Sequence, residues 1–344
     1  SDGTPVNAVY GFTAMVMKLV DDLAPDHVAV VLDVARKTFR SDIYPAYKAN
    51  RSEPPEDLIP QFALVREAAA ALSLPVLEAL GFEADDLIAT YAKLAEEKGL
   101  QTLIVSSDKD LMQLVRGQVT MLDPMKQRRI GVDEVLERFG VPPEKVVDVQ
   151  SLAGDSTDNV PGVPGIGIKT AAELIQAFGD LDNLLDNAGS IKQPKRRENL
   201  INFADQARIS RDLVQLCDNV PLPLEFAELA TPARDMERLA VFLRAQEFNR
   251  LLVRIGVDSG DASNLGSKAI GNAVRSMALN NASNNDETVV NTQATAAALV
   301  NTAAIADMSG CDYRLITDKK ALSKFLDISV VQGFLAVEIG RAHV

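Results

Sequence analysis

The sequence predicts an α/β fold: a mainly parallel central sheet flanked by helices, followed by an α-helical region. Three observations carry this. Short β-branched apolar runs at 27–33, 74–79, 102–110 and 119–122 alternate with segments of helical periodicity, the pattern of strand–helix–strand units. The first three runs lead into carboxylates: Asp33, the Glu83 group and the Asp108 group. From about residue 134 to 255 the periodicity is helical, with no further convincing strand.

The elements follow in order. Val6, Val9, Phe12, Val16, Leu19, Val20 and Leu23 repeat at helical spacing, and Pro25 closes the run. HVAVVLD at 27–33 reads as a buried strand with Asp33 at its carboxyl end. A polar, basic stretch covers 36–51, a turn falls at Pro54-Pro55, and 58–72 reads as a helix. LPVLEA at 74–79 is the second strand, GFEADD leads into a helix from about 84 to 98, TLIVSSDKD at 102–110 is a third strand running into an acidic loop, and VTML at 119–122 is the fourth. Parallel sheets bind ligands at the carboxyl ends of their strands, which is where these acidic groups lie.

The expected organisation is an α/β region at 1–133, a helical region at 134–256, and a linker at 257–311 whose Asn, Ala, Ser, Thr and Gly are too polar to build a core. A strand–helix–strand pattern resumes at 312–337. The last residues, EIGRAHV, back-translate to the start of a common sequencing-library adapter, so 338–344 are expected to be an artefact and His343 to carry no functional information.

Composition narrows the chemistry. With 47% apolar residues the 344-residue chain can bury a sizeable core. A net charge of −13 argues against general nucleic-acid affinity, so any DNA contact must come from local basic strips. Cys217 and Cys311 give no disulfide framework or thiolate zinc site, and His27 and His343 give no histidine site. No run approaches the ~20 apolar residues of a membrane span, and a reducing cytoplasm is the expected location.

Carboxylates concentrate in four segments. Glu83, Asp85 and Asp86 crowd one turn; Glu83 and Asp86, three apart, share a helix face, and Asp85 projects about 100° away. Such crowding calls for a cationic partner, since a helix dipole offsets only ~0.3–1 kcal/mol per charge. Asp108 and Asp110 follow a strand, Asp155 and Asp158 lie in GDSTDNVPG, and Asp33 ends its own strand. Each group alone also reads as an N-cap, a turn or a solvated helix start. Together, with no His or Cys among them, they make an all-oxygen donor set suited to Mg²⁺ or Mn²⁺. Two such ions form a phosphodiester-cleaving site. A structural Ca²⁺ site is the alternative, although EF-hand spacing is lacking.

DNVPGVPGIGIKTAAELI at 158–175 is the most specific motif. Gly162, Gly165 and Gly167 precede a helix starting near Lys169, a geometry that exposes backbone amides to a phosphate, with Lys169 and Thr170 as further donors. The spacing is not that of a Walker loop, and a plain helix–helix turn is the competing reading. The doubled glycine turn followed by KTA resembles the hairpin that DNA-repair proteins lay along a duplex. The stretch 36–51 holds Arg36, Lys37, Arg40, Lys48 and Arg51 with Phe39, Tyr44 and Tyr47 between them, a composition suited to a single strand, whose backbone meets the charges and whose bases stack on the rings. Lys192, Lys195, Arg196 and Arg197 form a second strip. A solvated charged face is the competing reading for each.

VLDVARKTFR, YPAYKANR, GFEADDLIA, SSDKDLMQL and GDSTDNVPGVPGIGIKTA, in this order over residues 1–255, resemble the 5′→3′ exonuclease domain of bacterial polymerases of the DNA polymerase I type, within the flap endonuclease superfamily. The resemblance implies a PIN/flap-nuclease-like sheet, a helix–three-turn–helix subdomain, and cleavage of 5′ ends and flaps in primer removal and repair. It implies that Asp33, Glu83, Asp85, Asp86, Asp108, Asp110, Asp155 and Asp158 hold two or more Mg²⁺ or Mn²⁺ ions. Tyr47, Lys48 and Arg51 match the helical arch through which, or beside which, the 5′ flap passes, Lys48 and Arg51 steadying the scissile phosphate. Gly162 to Thr170 match the duplex-holding loop, often with K⁺. The implied partners are branched, flapped or nicked duplexes and RNA primers on DNA, bound by a monomer. Residues 312–337 resemble the start of a proofreading-exonuclease-like domain. The family's first strand, with a further metal-site aspartate, is not among these residues, and its lack is expected to leave unpaired strand edges. A catalytically incomplete fragment that only binds DNA, and an acidic Ca²⁺-binding scaffold, are the alternatives.

Overall fold

The computed structural model describes residues 3–257 and the backbone of residues 336–339. The chain divides into two units, Ser1–Phe248 with Ser323–Val344, and Asn249–Leu322. In the second, a short helix at Asn249–Arg254 is described. The expectations for the linker and for the strand–helix–strand segment lie outside the described residues, apart from residue 257 and the backbone of 336–337.

Helix α1 (Asn7–Leu23) forms where the apolar residues recur at helical spacing, burying Val9, Phe12, Val16 and Met17. Its first turn has no cap of its own. Gln61, from α3 (Ile59–Ala71), accepts from the amides of Ala8 at 2.8 Å and Val9 at 3.3 Å and so satisfies two of the orphan donors. The helix ends at Ala24, in the left-handed region at φ 41°, and Pro25 prevents its continuation.

Strand β1 (Ala29–Leu32) is buried along its whole length and delivers Asp33 at its end. The polar, basic stretch after it contains the one-turn helix α2 (Phe39–Ile43). Strand β2 (Val76–Leu77) and helix α4 (Ala84–Glu97) follow. Next come β3 (Thr102–Val105), β4 (Val119–Asp123) and β5 (Arg128–Ile130), the last unforeseen from the sequence. The sheet order is β2-β1-β6-β3-β4-β5, β6 being Ala336–Ile339. All pairings are parallel except the β4–β5 hairpin at one edge.

Among the described residues the sides of β1 and β3 that the missing strand was expected to leave unpaired are paired with β6. Ala29 to Leu32 of β1 register with Ala336 to Ile339, and Ile104 and Val105 of β3 register with Ala336 and Val337. Two parallel strands with free main-chain donors and acceptors form a ready template for a third. The strand that fills it crosses the boundary expected at 337/338, since Glu338 and Ile339 pair as Ala336 and Val337 do.

Beyond the sheet the chain is helical: α5 (Val132–Phe139), α6 (Val146–Ala153), α7 (Ile168–Phe178), α8 (Leu181–Asp186), α9 (Pro194–Asn202), α10 (Ala204–Val214) and α11 (Met236–Ala245). One continuous core joins the two regions: Val31, Leu87, Ile88, Ile104 and Met121 belong to the same buried cluster as Val149, Leu152, Ile175 and Leu184. This shared packing holds the strand ends against α6 and α10. Among the described residues no helix is long and apolar enough to cross a membrane.

Candidate active site

The four acidic segments converge where the sheet meets α6. Asp33 leaves β1 and accepts from the amide of Ala84 at 2.8 Å, so the first turn of α4 is tied to the strand end. Burial raises the Asp33 pKa, against the pull of Lys48. Glu83 is the N-cap of α4 and receives Lys48 Nζ at 2.8 Å and the Tyr47 hydroxyl at 3.2 Å. Asp85 lies beside it, 8% exposed.

On the other side, Asp108 accepts from the amide of Asp110 at 2.8 Å, a tight turn that aims both carboxylates inward. Burial first, and Asp108 second, push the Asp110 pKa up to about 7. Gln150, on α6, donates to Asp110 Oδ1 at 2.5 Å, and its own buried Oε1 has no hydrogen-bond partner. Asp155 and Asp158 hang from a small hairpin closed by paired bonds between Asp155 and Val160, at 2.9 and 2.7 Å.

Cations fill the spaces between these groups. Lys48 Nζ lies 2.8 Å from Glu83 and 3.6 Å from Asp158, and Arg51 donates to Asp158 at 2.6 Å. Lys109 bridges Asp155 and Asp110. Burial works against the charge on Lys48, but Glu83, Tyr47 and Asp158 outweigh it and hold its pKa well above the ordinary lysine value. The segment around Lys48 is docked by its backbone as well. The Lys48 amide donates to the Asp158 carbonyl at 2.9 Å, Asn50 donates to the Ser156 carbonyl and Asn159 to the Ala46 carbonyl. Lys48 itself sits at φ 55°, a left-handed conformation that only a well-determined surrounding sustains.

The sequence-based expectations therefore divide. The structure brings Asp33, Glu83, Asp108, Asp110, Asp155 and Asp158 together with Lys48, Arg51 and Lys109, and Asp85 is buried near Glu83 in the chain. Asp86 differs from them. It is wholly buried, and its two oxygens accept from Arg40 at 2.7 and 2.8 Å, from the Glu83 amide at 3.0 Å and from the Cys217 amide at 2.9 Å. Its lone pairs are spent on the fold.

Three residues foreseen as DNA contacts are turned inward. Arg40 is 1% exposed. Tyr47 is buried with Val160, Leu213 and Val214, so its ring has no face for a base. Gly162 is buried, and its amide donates to Ser210 Oγ at 2.9 Å rather than facing solvent. Gly165, Gly167 and Lys169 are exposed and Thr170 is half-buried at the start of α7, as expected, and the strip of Lys192, Lys195, Arg196 and Arg197 lies at the start of α9. The sequence reading missed Lys109, Gln113 and Gln150. A lysine between two aspartates was a visible signal for the first; two glutamines in apolar runs gave almost none.

Among the described residues no three Asp, Glu, His or Cys side chains stand as a ready metal cage, because ammonium and guanidinium groups lie between the carboxylates. The donor set nevertheless fits a hard divalent cation. It is made of carboxylate oxygens, and burial, the largest cause of the raised pKa values of Asp33 and Asp110, disfavours their charged forms until a cation is bound beside them.

A parallel sheet that gathers carboxylates at its strand ends, packed against helices that present a glycine turn, is an architecture suited to metal-dependent chemistry on phosphates. Comparison with known proteins makes this specific. The N-terminal resolvase-like domain of the 5′-3′ exonucleases matches residues 1–140, and the C-terminal SAM fold of the same family matches residues 141–237. The chain belongs to the 5′-3′ exonuclease family. It is 53% identical over 262 residues to DNA polymerase I of Rhizobium leguminosarum, a match covering 74% of this chain and 26% of that one. It is 35% identical over 268 residues to DNA polymerase I of Bacillus subtilis, covering 76% and 30%. The chain thus spans about a quarter to a third of the length of these relatives. Among solved structures, the T5 5′-exonuclease with bound zinc ions superposes with a TM-score of 0.56 at 24% identity, over 63% of this chain and 83% of that one. The T5 flap endonuclease in a complex with DNA and metal ions gives 0.55 at 24% identity, over the same shares. Both are likenesses of fold.

Proposed function

We propose that the chain is a 5′→3′ exonuclease and 5′-flap endonuclease region that hydrolyses phosphodiesters with two or more Mg²⁺ or Mn²⁺ ions. The observation that carries this reading is the convergence of buried carboxylates from four segments beside Lys48 and Arg51. Asp33, Glu83, Asp85, Asp108, Asp110, Asp155 and Asp158 would hold the ions. Divalent ions in such a site supply an activated water and neutralise the charge that builds on the scissile phosphate. Lys48 and Arg51, displaced from Glu83 and Asp158 as ions bind, would donate to the phosphate oxygens and orient the substrate. Gly165, Gly167, Lys169 and Thr170 would hold the duplex phosphates at the start of α7, with K⁺ as a companion ion. The substrates would be flapped, nicked or branched DNA and RNA primers on DNA, met by a monomer in the bacterial cytoplasm during replication and repair.

The test is a labelled 5′-flap duplex incubated with Mg²⁺, Mn²⁺ or EDTA. Metal-dependent cutting near the junction supports the reading; cutting in EDTA sinks it.

A second reading follows from the bridging cations. With Lys48, Arg51 and Lys109 neutralising the cluster, the chain would bind flap DNA without cleaving it. A gel shift in EDTA, together with no products at any Mg²⁺ or Mn²⁺ concentration, would favour this over the first.

A further inference from the structure

The polypeptide from the last turn of α10 to Cys217 is held by a run of buried polar contacts. Arg40 Nε donates to the Leu213 carbonyl at 2.7 Å, and its Nη2 to the Gln215 carbonyl at 3.0 Å. Gln113 donates to the Val214 carbonyl at 2.9 Å and accepts from the Leu216 amide at 3.1 Å. The Cys217 amide donates to Asp86 at 2.9 Å. Five consecutive residues thus each give one main-chain group to three buried side chains.

Those side chains also fix the acidic cluster. The Arg40 guanidinium forms a two-pronged pair with Asp86, and Asp86 in turn fixes the Glu83 amide at 3.0 Å; Arg40 Nη1 lies 3.7 Å from the Glu83 carboxylate itself. Gln113 donates to the Asp110 carbonyl at 2.9 Å. One end of the cluster, Glu83, and the other, Asp110, are therefore registered against a common segment. That segment continues from α10, whose Ser210 and Gln206 hold both main-chain groups of Gly162, at 2.9 and 2.6 Å.

We infer that residues 213–217 form a strap that sets the spacing between the two halves of the carboxylate cluster, and that Arg40 and Gln113 are its positioning residues. Arg40 serves the metal site through Asp86 and not the DNA strand through its charge. The inference rests on the proposed metal-dependent activity.

The strap makes a specific demand on metal affinity. Residues that orient metal ligands from behind typically cost about 10–100-fold in affinity when replaced. In the full chain, Arg40→Met should weaken Mn²⁺ binding, read by electron paramagnetic resonance without DNA, by at least tenfold. Flap-DNA affinity in EDTA, read by fluorescence anisotropy, should stay within about twofold, because no DNA contact is lost. Arg40→Lys keeps the charge but lacks the two-pronged geometry, so it should recover only part of the Mn²⁺ affinity. Gln113→Ala should cost a similar factor with no change of charge, and it carries the test if Arg40→Met alters the circular dichroism spectrum. Unchanged Mn²⁺ affinity in Gln113→Ala and in a folded Arg40→Met overturns the inference. A large loss of flap affinity in EDTA with Mn²⁺ affinity intact would return Arg40 to a DNA role and overturn it too. No Mn²⁺ binding by the unsubstituted chain refutes the proposed function instead, so the two failures are distinct.

Discussion

Replacing Gly162 by alanine should damage both the fold and the metal site. Gly162 lies at φ +60°, and a Cβ there would stand 2.4 Å from the Gly154 nitrogen and 2.7 Å from its Cα. Gly154 is its mirror: a Cβ on it would stand 2.6 Å from the Val160 carbonyl oxygen. The obstacles are backbone atoms, which cannot rotate away. The left-handed conformation costs ~1–2 kcal/mol for any residue with a Cβ, and forcing apart closely packed chain adds about 1–3 kcal/mol. The sum is roughly 2–5 kcal/mol, or on the order of 10 °C in Tm for a domain of this size. Gly165 supplies the control. It has φ +76°, but its Cβ would meet only the Asn199 amide nitrogen at 3.8 Å, so Gly165→Ala should show the conformational term alone, about 1–2 kcal/mol. Urea denaturation of both variants in EDTA measures the difference. Gly154 and Gly162 close the base of the hairpin carrying Asp155 and Asp158, so Gly162→Ala should also weaken Mn²⁺ binding. Equal destabilisation by the two substitutions would refute the backbone-contact argument.

Three further outcomes are expected. In EDTA, the raised Asp110 pKa means that the folded state keeps a proton the unfolded chain has released. Its stabilising contribution is fully present below the ordinary aspartate value of 3.8 and is lost as pH rises through about 7. Asp110→Asn should therefore stabilise the metal-free protein by roughly 2 kcal/mol more at pH 8 than at pH 5.5; a pH-independent difference contradicts this. Removing the Lys109 ammonium leaves Asp155 and Asp110 without their shared cation, so Lys109→Met should cost about 2–3 kcal/mol in EDTA and much less in millimolar Mg²⁺, where an ion takes over the neutralisation. Equal losses with and without the ion would rule that out. Gly167 has ordinary backbone angles and open space around its Cβ position, so Gly167→Ala should change stability by less than about 1 kcal/mol. Its affinity for a nicked duplex should fall as the methyl group keeps the phosphate from the α7 amides; an unchanged affinity would remove the loop from the DNA interface.

Much of this was legible from residue patterns because burial imposes periodicity. The run ending in Asp33 and the amphipathic α4 follow directly from where their apolar residues fall. Strand β5 escaped because it is three residues long and exposes Arg128 and Arg129 at the sheet edge, leaving too little apolar pattern to read. The carboxylates of the cluster were legible as a set, since nothing else explains so many at strand ends. Their division of labour was not. Spacing put Glu83 and Asp86 on one face of a helix, yet the N-cap conformation of Glu83 turns Asp86 back onto the Glu83 amide. Likewise, basic and aromatic residues at 36–51 fit a strand-binding surface by composition, while tertiary packing buried Arg40 and Tyr47. Sequence gives the chemical type of a side chain but not the long-range partner, and Arg40 finds its carbonyl partners about 170 positions away.

The position of β6 bears on how the molecule assembles. Strands β1 and β3 do not bond to each other; each bonds to β6. The sheet is therefore two locally formed ribbons, β2-β1 and β3-β4-β5, stitched by a strand roughly 300 residues from β1 in sequence, the kind of contact whose loop-closure cost delays it during folding. The amides of β1 and β3 that face the seam should then share one hydrogen-exchange rate, set by departure of β6, while the outer pairings of each ribbon exchange independently. Because the stitch is made by main-chain bonds, it depends on extended backbone more than on side-chain identity.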